Sequence, residues 1–201
     1  MDLVTVFLAG GGCYNPRKQI AIRTEIYAMS QLQVLQLLES ADSEGDHTPE
    51  RDAALKLVRD GHAKLVATHS VLTTAGQRTK LDDTVQIEFD QPAAPVATDD
   101  KAASAIEPNT RAYGTILEVE PNIDADGFTV NLNLALEHHT AEPEFIGHRP
   151  LRYHAKAIQT NCVLIDGIYL VLGTWKPTGR PEYEETGVRH LVFVTANLQT
   201  P

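Results

Sequence analysis

The residues with the greatest chemical capacity lie in the run Glu137, His138 and His139, which Glu142, Glu144, His148 and His154 follow. Imidazole nitrogens and carboxylate oxygens are zinc ligands, so a metal site is the first chemistry to test. If 137–139 continue a strand, successive side chains point to opposite faces, and His138 and His139 cannot serve one ion without a bulge. A solvated polar loop and no metal is the expectation. The two thiols, Cys13 and Cys162, are too far apart in the chain to read as a disulfide framework or a cysteine-based zinc site. Cys162 sits inside an apolar run and reads as packing. Gly10, Gly11 and Gly12 lack the lysine and helix of a phosphate loop, and neither a nucleophile elbow nor a His-Glu-x-x-His pattern occurs. Trp175 and Tyr183 flank a connection rich in Pro and Gly, where they either close the core or form a contact. The expectation is no catalytic residue, no cofactor and no enzyme.

The elements around these residues alternate strongly. Residues 20–29 switch between apolar and polar side chains, the period of a half-buried strand. Ser30 can cap a helix with apolar positions Leu32, Val34, Leu35, Leu37 and Leu38. A second helix is expected from Thr48 as N-cap, with Pro49 in its first turn and Gly61 as its stop; its apolar side is Ala54, Leu55 and Val58. Residues 64–71 and 84–89 read as two strands of a hairpin around a turn at 73–77. Residues 91–109, rich in Ala, Pro and Asp, read as a flexible insertion.

The clearest strands are 114–120 and 128–136, joined by a hairpin turn at Asp126 and Gly127. The pattern repeats with 157–165, a turn at Asp166 and Gly167, and 168–172, and 189–195 forms an apolar terminal strand. Together these predict an α+β fold, mainly antiparallel β-sheet with about two helices. Residues 1–18 are expected to form an N-terminal strand and glycine turn rather than a lipoprotein signal, because Asp2 stands where a basic residue belongs. Residues 19–201 form the main domain.

The chain has 201 residues and a formal net charge of −10. Such a balance argues against a phosphate backbone as partner, since that binding depends on Lys and Arg releasing counterions. No segment approaches the ~20 apolar residues of a membrane-spanning helix, so membrane contact would come through β-structure or a partner.

Four phrases in order resemble the C-terminal homology domain of bacterial secretins, the ring-forming outer-membrane channel proteins. The first is 57–77, LVRDGHAKLVATHSVLTTAGQ, ending in Gly76 and Gln77. The second is 114–127, with Gly114, Leu117, Val119, Pro121, Ile123 and Asp126 in family-like places. The third is 160–174, TNCVLIDGIYLVLGT, containing Gly173, and the fourth is Leu191 to Ala196. Thr174 stands where the family has a second glycine, and the short polar stretch 176–188 replaces a longer Pro/Gly-rich one. The periplasmic domains that precede this region in such secretins are not in the sequence. The resemblance implies a secretin-like domain that forms a homo-oligomeric ring or channel-like polymer in protein export. It also implies a place in the cell envelope and contact with other secretion-apparatus proteins. The alternative is a monomeric or dimeric binding module, in which loops at 91–109 and 138–153 engage a protein partner.

Overall fold

A computed structural model describes residues 18–41, 45–89, 109–141, 153–178 and 187–199. In chain order the elements are β1 (Gln19–Ser30), α1 (Gln31–Ser40), α2 (Thr48–Arg59), β2 (Lys64–Thr74), β3 (Thr79–Phe89) and β4 (Asn109–Ile123). They continue with β5 (Thr129–Ala141), β6 (Tyr153–Ile165), β7 (Tyr169–Trp175) and β8 (Val188–Gln199). The strands form two four-stranded sheets: sheet A in the order β2-β1-β8-β7, and sheet B in the order β3-β4-β5-β6. Every pairing is antiparallel, and the predicted α+β class holds. The expected N-terminal strand, most of the 91–109 insertion, Cys13 and Tyr183 lie outside the described residues.

Side-chain alternation explains the layers. In β5, Val130, Leu132, Leu134 and Leu136 are buried, whereas Asn133 and Glu137 on the other face are exposed. The buried row meets Ile20, Ile22 and Ile26 of β1 and Val192, Val194 and Ala196 of β8, forming a core between the sheets. The opposite parity of β1 and β8 supplies Tyr27, Met29, Leu191 and Phe193 to a second core, where Val34 of α1 and Ala54 of α2 cover them. Sheet A is therefore buried on both faces, and sheet B on one.

The helix boundaries follow local hydrogen bonding. Gln33 N donates to Ser30 Oγ at 3.3 Å and Ser30 N donates to Gln33 Oε1 at 2.9 Å, a reciprocal capping box. At α2 the N-cap is His47 rather than Thr48. Thr48 Oγ instead accepts from Tyr169 N, and the Thr48 N–H is met by Asp46 Oδ1. Leu57 and Val58, not Leu55, pack against the helix-covered core. The α2 stop is as expected: Gly61 has φ +78°, His62 N donates to Leu57 O, and Gly61 N donates to Val58 O.

Two expected hairpins are not hairpins. β2 and β3 lie in different sheets, as do β6 and β7, so the turn at 73–77 and the turn at Asp166 and Gly167 are corners that carry the chain from one sheet to the other. A glycine at positive φ reverses chain direction locally but does not choose the partner of the next strand. Here β1 and β4 take the ladder bonds of β2 and β3, and the corners are tied down elsewhere. Gly76 N donates to Pro121 O at 2.7 Å, and Gly167 N donates to Ala196 O at 2.8 Å. Asp126 and Gly127, by contrast, join two strands that do pair, β4 and β5.

Candidate functional site

The motif residues occupy two ends of the sandwich. At one end the three turns meet. Asp166 N donates to Phe128 O at 3.0 Å, Asp166 Oδ1 accepts from Leu198 N at 2.8 Å, and Lys18 Nζ donates to Gly127 O at 3.1 Å. Thr129 Oγ1 donates to Asp126 Oδ2, and Asp126 Oδ1 accepts from the backbone N–H groups of Thr129 and Phe128; together these close the β4–β5 turn and hold the Asp126 carboxyl below its ordinary range. Gly76, Gln77 and Pro121 belong to this end, where Gln77 N donates to Thr74 O.

At the other end lies a cleft of about 270 Å³ between the sheets, lined by Gly114, Trp175 and a group of histidines. Gly114 has φ +133°, and a Cβ there would lie 2.1 Å from Asp83 O, so only glycine allows β3 and β4 to approach this closely. Gly173 lies where the β7–β8 register shifts, a bulge in β7. Trp175 packs against the inter-sheet core and sits beside His138 and His190, with ring centroids 6.3 Å and 5.8 Å away.

His69, His138 and His190 were not expected to be buried. β5 runs through Ala141, so His138 is a strand residue of core parity rather than part of a solvated loop, and only His139 turns outward toward Glu137. The same parity that buries Leu132 to Leu136 puts His138 inside; for His190 the signal is its step from Val192 and Val194. Burial lowers the pKa of all three, most for His190, which falls to about 4. His138 Nδ1 is 2.9 Å from Thr115 Oγ1, and His69 Nε2 is 3.6 Å from Asp83 Oδ2. Among the described residues no group of three or more His, Cys, Asp or Glu side chains is placed to hold a metal ion. Cys162 packs against the core, and burial pushes its thiol up to about 11.

The strand edges differ. The outer edge of β7 is occupied, because His47 N donates to Tyr169 O, Tyr169 N to Thr48 Oγ1, and Val171 N to His47 Nδ1. β3 and β6 end sheet B, and among the described residues no helix or loop backbone bonds to residues 80–88 or 155–164 from outside the sheet. The outward face of sheet B carries Glu118, Glu120, Asn131, Asn133 and Asn161 together with the exposed Val163 and Ile165, and Asn161 Nδ2 donates to Asn133 Oδ1 at 2.9 Å. No described helix is long and apolar enough to cross a membrane, a statement that leaves β-barrels open.

Two packed antiparallel sheets, one of them backed by two helices and the other with no further strand paired to β3 or β6 among the described residues, define a β-rich domain. The chain belongs to the secretin family, the bacterial type II and III secretion system proteins, whose family model matches residues 56–175. No curated protein sequence matches it. Solved structures share the fold at low identity. The type II secretin GspD of enteropathogenic Escherichia coli is 12% identical with TM-score 0.55, covering 92% of this chain and 70% of that one. The ETEC pilotin–secretin AspS–GspD complex gives 12%, 0.52, 92% and 50%, and the Salmonella SPI-1 injectisome secretin InvG gives 10%, 0.54, 92% and 66%. The chain thus spans about half the length of the ETEC GspD chain.

Proposed function

We propose that this chain is an assembly component of a protein-secretion machinery, forming a homo-oligomeric ring or channel-like polymer by edge-to-edge pairing of sheet B. The observation that carries the reading is that, among the described residues, no backbone bond reaches the outer edge of β3 or of β6 in sheet B, whereas in sheet A the β7 edge is occupied and only the β2 edge is left. An unpaired edge is a template for another strand. Because sheet B has four antiparallel strands, β6 runs opposite to β3, and β6 of one copy can pair antiparallel with β3 of the next in the same orientation. Repeating that step is a heterologous contact, which closes into a ring when the rotation per copy divides a full turn. The mainly polar middle of the outward face, Glu118, Glu120, Asn131, Asn133 and Asn161, and the apolar inward face suit a wall with one side toward water.

Gly114 supports such a wall by letting β3 lie close on β4, Gly76, Gln77 and Pro121 hold the corner between β2 and β3, and Gly173 forms the bulge in β7. Trp175 serves core closure beside the cleft rather than an exposed contact. The reading involves no cofactor, catalytic residue or nucleic acid, and it places the chain in the cell envelope among other secretion proteins. The test is light scattering with negative-stain imaging of the purified chain, with and without detergent. Rings or large closed oligomers are expected; a 22.0 kDa monomer in both conditions overturns self-assembly by this chain.

A further inference from the structure

The inter-sheet cleft has an unusual charge balance for a chain of net charge −10. Among the described residues, Lys64 and His69 line it from β2, His138 and His139 from β5, Lys156 from β6 and His190 from β8, against one lining carboxylate, Asp83 of β3. His139 is drawn toward Glu137 on the outer face. Among the described residues Lys64 and Lys156 take part in no ion pair, although they stand on opposite sheets. His69 is 5% exposed, yet its Nδ1 has no hydrogen-bond partner, and the buried Thr178 Oγ1 in the same lining has none either. Buried polar atoms in native proteins are nearly always satisfied, so two orphans in one cleft mark a place for a ligand with oxygen atoms. At about 270 Å³ the space lies below the usual ~300–1,000 Å³ of sites for drug-sized ligands.

We propose that this cleft binds a small oxyanion, a carboxylate, sulfate or phosphate group, between Lys64 and Lys156, with His69 as a proton-coupled donor. His69 Nε2 faces Asp83, so Nδ1 becomes a donor only when the ring takes up a proton. Burial disfavours that proton in the empty cleft; an anion supplies the missing countercharge. Binding therefore takes up a proton and strengthens as the pH falls. The inference is independent of ring assembly.

Sulfate is the first probe because its charge is constant between pH 5.5 and 7.5. Calorimetric titration of the full chain, with ionic strength held by chloride, is expected to show saturable binding that tightens as the pH falls, by at most about tenfold per pH unit for uptake of one proton. Phosphate and acetate arms report which oxyanion is preferred. Lys156→Gln is expected to weaken sulfate binding roughly tenfold, in keeping with loss of a charge-assisted contact; His69→Gln is expected to flatten the pH dependence. Lys156 is only partly buried, so its variant carries the test if His69→Gln fails to fold. Absence of sulfate binding beyond the chloride control, pH-independent binding in the unaltered chain, or wild-type affinity in Lys156→Gln overturns the proposal.

Discussion

Sheet A buries polar groups on both faces and treats them differently. On the helix-covered face, Glu25 is 3% exposed and ionised. Arg51 of α2 donates to it from Nε at 2.8 Å and Nη2 at 2.9 Å, Tyr27 Oη donates at 2.6 Å and Tyr169 Oη at 3.3 Å. The Arg51 guanidinium also lies 4.7 Å from the centre of the Tyr169 ring. Burial pushes the Glu25 carboxyl up, but the hydrogen bonds from Arg51 and the two tyrosines outweigh it and hold the group below its ordinary value. On the face toward sheet B, His69 and His190 are buried, and Asp83, which lies 3.6 Å from His69, is largely exposed. These rings stay neutral. A permanent charge is buried on the face where Arg51 of α2 meets it, and groups that can shed their charge are buried on the face toward sheet B.

The largest effect expected from disturbing this arrangement comes from Arg51→Met. It leaves the Glu25 carboxylate buried without its cation, and loss of about 3–5 kcal/mol is expected, as for other broken buried pairs. Adding Glu25→Gln should recover a large part of that loss in urea unfolding, because the uncompensated charge goes with it. Equal destabilisation in the single and double variants would show that helix packing, not charge matching, dominates this face.

Acid should act on the other face first. A histidine whose folded pKa lies below its unfolded value binds fewer protons folded than unfolded, so stability is lost as pH falls from about 6.5 toward the folded pKa. For His190, between 6.5 and about 4, the loss is on the order of 3 kcal/mol; His69 and His138 add to it in the same direction. The contribution of Glu25 has the opposite origin: a depressed carboxyl stabilises above its unfolded value near 4.5 and is lost only below it. Urea midpoints at pH 7, 5 and 4 should therefore fall before Glu25 titrates, and His190→Asn should flatten the decline. A midpoint unchanged down to pH 5 in the unaltered chain would remove the distinction between the faces.

A steric variant sharpens the same contrast at the cleft. In Gly114→Ala the new methyl group meets the Asp83 carbonyl, and about 1–3 kcal/mol should be lost as β3 shifts away from β4. Gly127→Ala, at φ +79° with only the end of Lys18 nearby, should cost less. Thermal melts of the two variants rank them.

These contrasts also show what the chain reveals without coordinates. Alternation located β1, β4, β5 and β8, and Ser30 marked the start of α1, because these depend on neighbours in sequence. The hairpin reading failed at 73–77 and at Asp166 and Gly167, because a turn residue sets local φ while the strand's partner is chosen by long-range packing. Glu25 occupies a polar position in an alternating strand and reads as solvent-facing; its burial depends on α2, whose Arg51 lies 26 residues away. His138 was recoverable, since its parity continues from Leu132, Leu134 and Leu136. The open edges of β3 and β6 were not, because edge status requires the order of strands in the whole sheet.

The smallest effect tests whether burial, rather than the chemistry of an Arg–Glu pair, makes the helix-covered face strong. Arg78 and Glu118 form a second such pair on the outward side of sheet B, where the Arg78 side chain is 72% exposed. The two ions already attract in the folded state, and each shifts the other toward its charged form. Water and salt screen that attraction, however, and holding two long side chains in one geometry opposes it entropically. Removing Arg78 strands nothing, because the freed Glu118 carboxylate is solvated at once. Arg78→Gln should therefore leave the urea midpoint within error of the unaltered chain, at both low and high salt. A loss comparable to that in Arg51→Met would mean that pair geometry alone stabilises both sites, and the difference drawn between a buried and a solvated charge would fail at its simplest comparison.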